Sequence, residues 1–261
     1  MADSADTTTT SPDPPSAAAS SSSRAPMPIV GIGASAGGIE ALQSFFGHVA
    51  PDSGIAYVVV LHLAPDTESN LVSVLQQVTD MPVERATDGT AVAADHVYVI
   101  APGRRLEVEN GTLRVTDTAD PHEVSTIDRF FRSLARDQAE NGVGIVLSGT
   151  GTDGTLGLRA IKEQGGVTMV QAPDDAEYDG MPQSAIASGL VDLVLPPAAL
   201  AEKLVAYRDS AGVVQLPAKE EALDEEERSV LQHIFTRLYT VTGHDFSNYK
   251  RPTILRRLER R

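Results

Sequence analysis

Short apolar runs that alternate with helix-like segments restrict the fold of this chain more than any other feature of its sequence. Several of the runs are apolar throughout, which is typical of parallel strands covered on both faces. Predicted strands are Pro28 to Ile32, Tyr57 to Leu63, His96 to Ala101, Gly144 to Ser148, Val167 to Gln171 and Val191 to Leu195. Predicted helices are Gly38 to Val49, Ser69 to Val78, Thr126 to Glu140, Gly154 to Glu163, Gln183 to Ser188 and Ala198 to Asp209. We therefore predict an α/β fold with a doubly wound, mostly parallel sheet.

One antiparallel feature is expected beside this sheet. The segment RRLEVENGTLRVT, from Arg104 to Thr116, places Asn110-Gly111 between two runs of alternating polarity. That dipeptide between such runs is a strong signal for a hairpin with a type I′ turn.

Changes in composition divide the chain into four predicted parts. Residues 1–26 are Ser, Thr, Ala, Pro and Asp with few large apolar side chains, which predicts a disordered tail. Residues 27–210 carry the α/β pattern, and residues 211–225 are acidic and contain a proline, as expected for a linker. Residues 226–261 have a helical apolar stripe and then a basic run, which predicts a short, all-α segment that is incomplete.

Composition also excludes several classes of function. The net charge of −15 disfavours binding to nucleic acid or to anionic membranes. The chain has no cysteine, and its six histidines show no metal-ligand spacing, so we predict neither a metal site nor a cofactor. No apolar run approaches the roughly 18 residues of a membrane span, and no secretory signal is visible, so we expect a cytoplasmic protein without membrane insertion.

The turn after the first predicted strand has two interpretations. Gly33-Ala34-Ser35-Ala36-Gly37 matches the G-x-S-x-G nucleophile elbow, in which the serine hydroxyl projects above the strand ends. The following helix would direct its positive end and free N–H groups to the place where an oxyanion develops. Gly31-x-Gly33-x-x-Ala36 equally fits a dinucleotide-binding fingerprint, so the motif by itself leaves both open.

Two further side chains favour the hydrolase interpretation. A dinucleotide site usually has an acidic residue after the next strand, whereas this chain has His62 there, where an imidazole could accept the Ser35 proton. Asp153 follows another buried strand and could orient that imidazole. For each residue alone a structural role is the simpler explanation, and Asp153 in particular could cap the helix that starts after it. Together they predict a triad of Ser35, His62 and Asp153.

Five motifs in order give the chain a family resemblance: GIGASAGG, VVVLHLAPD, YVIAPGRRLEV, VLSGTGTDGTLGL and GMPQSAIASG. From about Pro28 to Asp209 it resembles the catalytic domain of chemotaxis protein-glutamate methylesterases. The resemblance implies hydrolysis of glutamate methyl esters, often with glutamine deamidation, on the cytoplasmic helices of chemotaxis receptors. It also implies Ser35 as nucleophile, His62 as base and Asp153 as orienting acid. Besides the dinucleotide-binding module, the second alternative to an esterase is a scaffold that binds receptors without hydrolysing them.

Three residues differ from the usual pattern of that family, and the carboxyl-terminal segment resembles a second family. Ala36, Thr150 and Thr152 stand where threonine, methionine and asparagine are usual in that family, whose suggested oxyanion donor is the backbone N–H at position 150. The hairpin and Met181-Pro182 either line the receptor cleft or are ordinary turns. The last residues, from Leu231 on, are similar to the opening helices of the chemotaxis receptor methyltransferase. The first 26 residues are too few for the receiver domain usual in the family, so we expect no gating by phosphorylation in cis.

Overall fold

A seven-stranded parallel sheet is the centre of the structure, a computed structural model that describes residues 27–62, 69–117, 125–213 and 225–243. The strands are β1 Ile29–Ala34, β2 Ala56–Leu61, β3 Val83–Arg85, β4 His96–Val99, β7 Val143–Val146, β8 Val167–Gln171 and β9 Leu193–Leu195. Their order in the sheet is β3-β4-β2-β1-β7-β8-β9. The chain builds outward from β1 to one edge and then returns to the other side of β1, so the sheet is doubly wound as predicted.

Helices cover both faces of the sheet. Their bounds are α1 Gly38–Phe46, α2 Leu71–Gln76, α3 Thr126–Gln138, α4 Thr155–Glu163, α5 Gly180–Ala187, α6 Pro197–Val213 and α7 Glu225–Thr242, with a 3₁₀ turn at Ala139–Asn141. On one face α1, α2 and α6 pack against side chains such as Val30, Ile32 and Val59. On the other face α3, α4 and α5 pack against side chains such as Val58, Val60 and Val146.

The predicted hairpin is present as a separate two-stranded sheet, β5 Arg104–Glu109 and β6 Thr112–Asp117. Asn110 and Gly111 have φ of 51° and 65°, as a type I′ turn requires. The hairpin lies on α3, where Ser133 Oγ accepts the Val108 N–H at 3.0 Å. Strand β5 is therefore the part of the hairpin that packs on α3.

Most element bounds differ from the predictions by a few residues, and three of the differences have local reasons. The short strand β3 was not predicted, because three residues are too few to establish a period of two. Strand β1 continues two residues beyond Ile32, since alanine and glycine carry little strand preference in sequence. Helix α6 extends to Val213, into the predicted linker, whose residues 214–224 lie outside the described part, as do residues 1–26 and 244–261.

Helix α7 packs against α6 and the neighbouring α4–β8 turn, with Phe235 buried. Arg237 donates to the carbonyls of Gly165 (2.8 Å) and Gly166, where the carboxyl end of α4 concentrates negative partial charge. Ser229 Oγ donates to Glu140 Oε1 at 2.9 Å. Within the described ranges, no helix has the length and apolar character needed to cross a membrane.

Candidate active site

The three candidate residues follow three adjacent strands at the carboxyl edge of the sheet. Strand β1 pairs with β2 on one side and with β7 on the other. This is the switch point of a doubly wound sheet, where the crevice that binds ligands forms. Ser35 comes directly after β1, His62 directly after β2, and Asp153 lies in the loop that joins β7 to α4.

The Ser35 turn is held by backbone hydrogen bonds on both sides. The Ser35 N–H donates to Ser148 O and the Gly38 N–H donates to Ser35 O, each at 2.9 Å. The left-handed residue of the turn is Gly37, with φ of 70°, whereas Ser35 has no positive φ. The strand–turn–helix arrangement of the predicted elbow is thus present, with the unusual backbone conformation placed on the glycine two residues after the serine.

The glycines of the alternative dinucleotide fingerprint lie inside β1 and serve helix packing. A Cβ built on Gly31 would lie 2.9 Å from Phe130, and one on Gly33 would lie 2.3 Å from Ile127. Both contacted side chains belong to α3, so the missing Cβ atoms let this helix lie directly on the strand. Neither glycine is at the turn, where a phosphate cradle would need it.

His62 is the register neighbour of Ser35. Ala34 pairs with Leu61 at the end of the β1–β2 ladder, and the His62 N–H continues that ladder by donating to Ala34 O at 3.2 Å. Adjacent strands lie about 4.8 Å apart, so the Ser35 and His62 side chains start from neighbouring positions on the same edge. The imidazole is one quarter exposed and its Nε2 lies 2.7 Å from Asp153 Oδ2.

Asp153 is buried and its carboxylate accepts three backbone N–H groups. Oδ2 accepts from Ile127, and Oδ1 accepts from Asp128 and Gly154, each at 2.9 Å. Two of these donors are in the first turn of α3, where N–H groups have no partner within the helix. The simple capping role considered for Asp153 is therefore wrong in its partner: α4 begins after Gly154 without a side-chain cap, and the carboxylate caps α3 instead.

The structure joins the three residues unequally. His62 and Asp153 are in contact, although Oδ2 lies off the direction of the Nε2–H bond, so that the pair lacks the geometry of a linear hydrogen bond. Ser35 is half-buried, and its hydroxyl makes no hydrogen bond to any residue that the structure describes. Catalytic hydrogen bonds are often long or misaligned without substrate and tighten when it binds.

Ser148, which sequence reasoning did not select, ties the Ser35 turn to the neighbouring loops. Its hydroxyl is fully buried, donates to Ala36 O at 2.9 Å and accepts from the Tyr178 N–H at 3.0 Å. Its backbone N–H donates to Gln171 Oε1 at 2.8 Å. A serine at the end of a buried strand is an unusual core residue, and that was the available signal.

Three backbone donors in the Ser35 turn and in the loop beside it have no acceptor among the residues that the structure describes. The N–H groups of Ala36, Gly37 and Thr150 donate to no acceptor within the described parts of the chain. The loop that carries Thr150 touches Ser35, because a Cβ built on Gly149 would lie 2.9 Å from the Ser35 Cβ. Such donors can stabilise the negative oxygen that forms during acyl transfer.

Met181 lies beneath this loop and is fully buried. A Cβ built on Gly149 would lie 2.2 Å from its sulfur, and the Met181 N–H donates to Gly149 O at 2.8 Å. Met181 therefore supports the loop from inside, and the neighbouring Pro182 is buried as well. No group of three or more His, Asp and Glu side chains suited to a metal ion occurs among the described residues.

Family comparison agrees with the arrangement of strands and loops. Residues 30–204, which include all three candidate residues, match the family model of the CheB methylesterase. The chain belongs to the CheB methylesterase family. Residues 229–261 match the all-alpha domain of the CheR methyltransferase, as the similarity of the carboxyl-terminal segment predicted.

Individual CheB relatives support the same assignment. The chain is 34% identical over 185 residues to a protein-glutamate methylesterase/protein-glutamine glutaminase of Rhizobium meliloti, covering 70% of this chain and 52% of the relative. It is 35% identical over 191 residues to one of Geobacter metallireducens, with the same two coverages of 70% and 52%. The chain thus spans about half the length of these curated relatives.

A solved structure confirms the fold. The CheB methylesterase catalytic domain of Thermotoga maritima superposes with a TM-score of 0.62 at 28% sequence identity. The match covers 68% of this chain and 97% of that domain. The predicted α/β class with a mostly parallel sheet is therefore confirmed.

Proposed function

We propose that this chain is a protein-glutamate methylesterase that hydrolyses glutamate methyl esters on the cytoplasmic helices of chemotaxis receptors. The observation that carries the proposal is the contact between His62 and the buried Asp153 carboxylate, because His62 is the neighbour of Ser35 in the β1–β2 register. Membership of the CheB family and the names of its relatives support the substrate class. Such a substrate also implies that the protein acts in the cytoplasm.

The proposed reaction proceeds through an acyl-serine. The Ser35 hydroxyl attacks the ester carbonyl carbon while the His62 imidazole takes its proton, and the resulting oxyanion is stabilised by the free N–H groups beside it. Collapse of this intermediate breaks the bond to the methoxy oxygen, which leaves as methanol with the proton from His62. Water then attacks the acyl-serine by the same route and releases the glutamate carboxylate and the Ser35 hydroxyl.

Asp153 has two duties in this proposal. It stabilises the imidazolium that forms when His62 accepts the proton, and it holds the ring in one tautomer. Because Nε2 faces Asp153, Nδ1 is the ring nitrogen left for the Ser35 proton. The mechanism requires the imidazole to turn so that Nε2–H points to Oδ2 and Nδ1 accepts the proton of the Ser35 hydroxyl.

Relatives are also named as protein-glutamine glutaminases. An amide can follow the same acyl-serine route with ammonia as the leaving group, so we include deamidation of receptor glutamines in the proposal. We further propose residues 27–210 as the catalytic domain and residues 226–261 as the beginning of a methyltransferase helical module.

Methanol release from a methylated receptor fragment tests the function. The purified chain should release methanol, and Ser35→Ala should reduce the rate to that of the uncatalysed reaction, because the acyl-serine cannot form. Ser44→Ala, at an exposed position of α1, is the matched control and should keep the full rate. Turnover retained by Ser35→Ala would contradict the mechanism. A folded, inactive wild-type chain that still binds receptor would support the scaffold alternative.

A further inference from the structure

Two buried carboxylates exchange caps between the first turns of α3 and α4. Asp153, which precedes α4, accepts the N–H groups of Ile127 and Asp128 at the start of α3. In return the Asp128 side chain, on α3, accepts the N–H of Gly157 in the first turn of α4 at 2.6 Å. The hydrogen bonds of Asp153 to α3 and of Asp128 to α4 thus connect the amino ends of the two helices in both directions. Any shift of α4 relative to α3 therefore displaces Asp153.

Close packing of the helices makes this exchange possible. A Cβ built on Gly157 would lie 2.5 Å from the Phe131 Cβ and 3.1 Å from the Asp128 Cα, so the two backbones are nearly in contact. Helices α3 and α4 also share the most extensive contact of any pair of elements that the structure describes. The Asp128 side chain adds a polar connection across this interface.

A buried charge at position 128 has an evident cost. Burial raises the pKa of Asp128, and the nearby Asp153 carboxylate adds to the rise, while the Gly157 N–H and the Arg132 guanidinium oppose it. Two helix amino ends, with their positive partial charges, face the two carboxylates and offset the repulsion between them. If the Asp128 carboxylate only filled space, an apolar side chain of similar volume would stabilise the fold equally well.

We propose that Asp128 is a positioning residue for the esterase: by accepting the Gly157 N–H it holds the α4 turn in the place that keeps Asp153 against His62. The inference rests on the proposed function of these residues. Asp128 makes no hydrogen bond to Ser35 or His62, so its effect on the reaction passes through Asp153. Misplacement of a catalytic group by about 1 Å can cost on the order of 100-fold in rate.

Three variants test the role of Asp128 in methanol release. Asp128→Ala should lower kcat about 10-fold per folded molecule and leave KM unchanged, because the residue does not contact substrate. Asp128→Asn keeps an oxygen that can accept the Gly157 N–H and should restore kcat to within about 3-fold of wild type. Asp137→Ala is the matched control on the same helix: its carboxylate accepts the Gly111 N–H of the hairpin at 3.2 Å, far from Asp153. It should lose stability and keep kcat.

A purely structural role would leave kcat of Asp128→Ala equal to that of Asp137→Ala, and this result would overturn the proposal. An Asp128→Asn protein as impaired as Asp128→Ala would overturn it as well, since the hydrogen-bond acceptor would then be irrelevant. Should Asp128→Ala fail to fold, Asp128→Leu replaces it, because leucine has nearly the shape of aspartate and no atom that can accept the Gly157 N–H.

Labelling of Ser35 by a small fluorophosphonate separates this proposal from the proposed substrate. The rate of phosphonylation depends on the Ser35, His62 and Asp153 arrangement and needs no receptor. If wild type is labelled but releases no methanol, the substrate assignment fails, and the Asp128 proposal still predicts about 10-fold slower labelling of Asp128→Ala. Equal labelling rates would overturn the positioning role. A wild-type chain that is not labelled at all would overturn both proposals.

Discussion

Replacement of Asp153 by asparagine should destabilise the protein although the two side chains have nearly the same shape. Both carboxylate oxygens are hydrogen-bond acceptors: Oδ2 for the Ile127 N–H, and Oδ1 for the Asp128 and Gly154 N–H groups. An amide has one acceptor oxygen and one NH₂ group. In either orientation of the asparagine, the NH₂ therefore faces at least one buried N–H donor.

The magnitude follows from the least costly orientation. With its oxygen in the Oδ1 position, asparagine keeps the Asp128 and Gly154 bonds and leaves the Ile127 N–H without an acceptor. An unsatisfied buried donor costs about 1–3 kcal/mol, so the free energy of unfolding should fall by that amount. The NH₂ would also face the His62 Nε2 that now lies 2.7 Å from Oδ2, and the proposed tautomer would be lost. In a serine triad this reduces kcat on the order of 10⁴-fold.

Urea unfolding at neutral pH and methanol release together measure both effects. Asp137→Asn is the control, because the two Asp137 oxygens share one Gly111 N–H at 3.2 and 3.3 Å, and a single amide oxygen can accept it. A second donor to Asp137 Oδ2 is the Gln138 side-chain amide at 2.7 Å, which can turn and offer its oxygen to the asparagine NH₂ instead. The unfolding free energy of Asp137→Asn should change by less than about 0.5 kcal/mol. An Asp153→Asn protein as stable as this control would refute the hydrogen-bond argument, and one with near wild-type kcat would refute the proposed role of the carboxylate.

Three further predictions concern packing, pH and the carboxyl-terminal helix. Gly33→Ala should cost about 1–3 kcal/mol in urea unfolding, because its Cβ would meet Ile127 at 2.3 Å, and Ile127→Ala in the same chain should recover part of that loss. Burial raises the pKa of Tyr57, which favours the neutral phenol in the folded state. The contribution of Tyr57 to the free energy of unfolding is therefore complete below about pH 10, the pKa of an exposed tyrosine, and declines as pH rises further. In urea unfolding, the free energy of unfolding of Tyr57→Phe should fall less between neutral and alkaline pH than that of wild type. Arg237→Ala removes the donor to the α4–β8 turn, and amide hydrogen exchange in α7 should become faster while exchange in α3 stays unchanged; equal exchange in both proteins would contradict this docking.

Local patterns predicted the fold because each depends on residues that are close in the chain. The apolar strands, the helices between them and the Asn110-Gly111 turn follow from period and from turn chemistry. The three-residue β3 was too short to carry a period, and the Gly31-x-Gly33 spacing looked like a phosphate cradle because sequence does not show that α3 lies on those glycines.

The sequence alone determined the α/β class, the order of the motifs and the three residues that follow separate strands. Only the tertiary structure decided what surrounds them: that Asp153 caps α3 from a distance of 26 positions, that Asp128 returns the cap to α4, and that buried Ser148 joins three loops. These bonds connect groups far apart in the chain, and they exist because helices and loops pack closely. Periodicity records the faces of individual elements, whereas the hydrogen bonds between elements depend on how those faces are brought together.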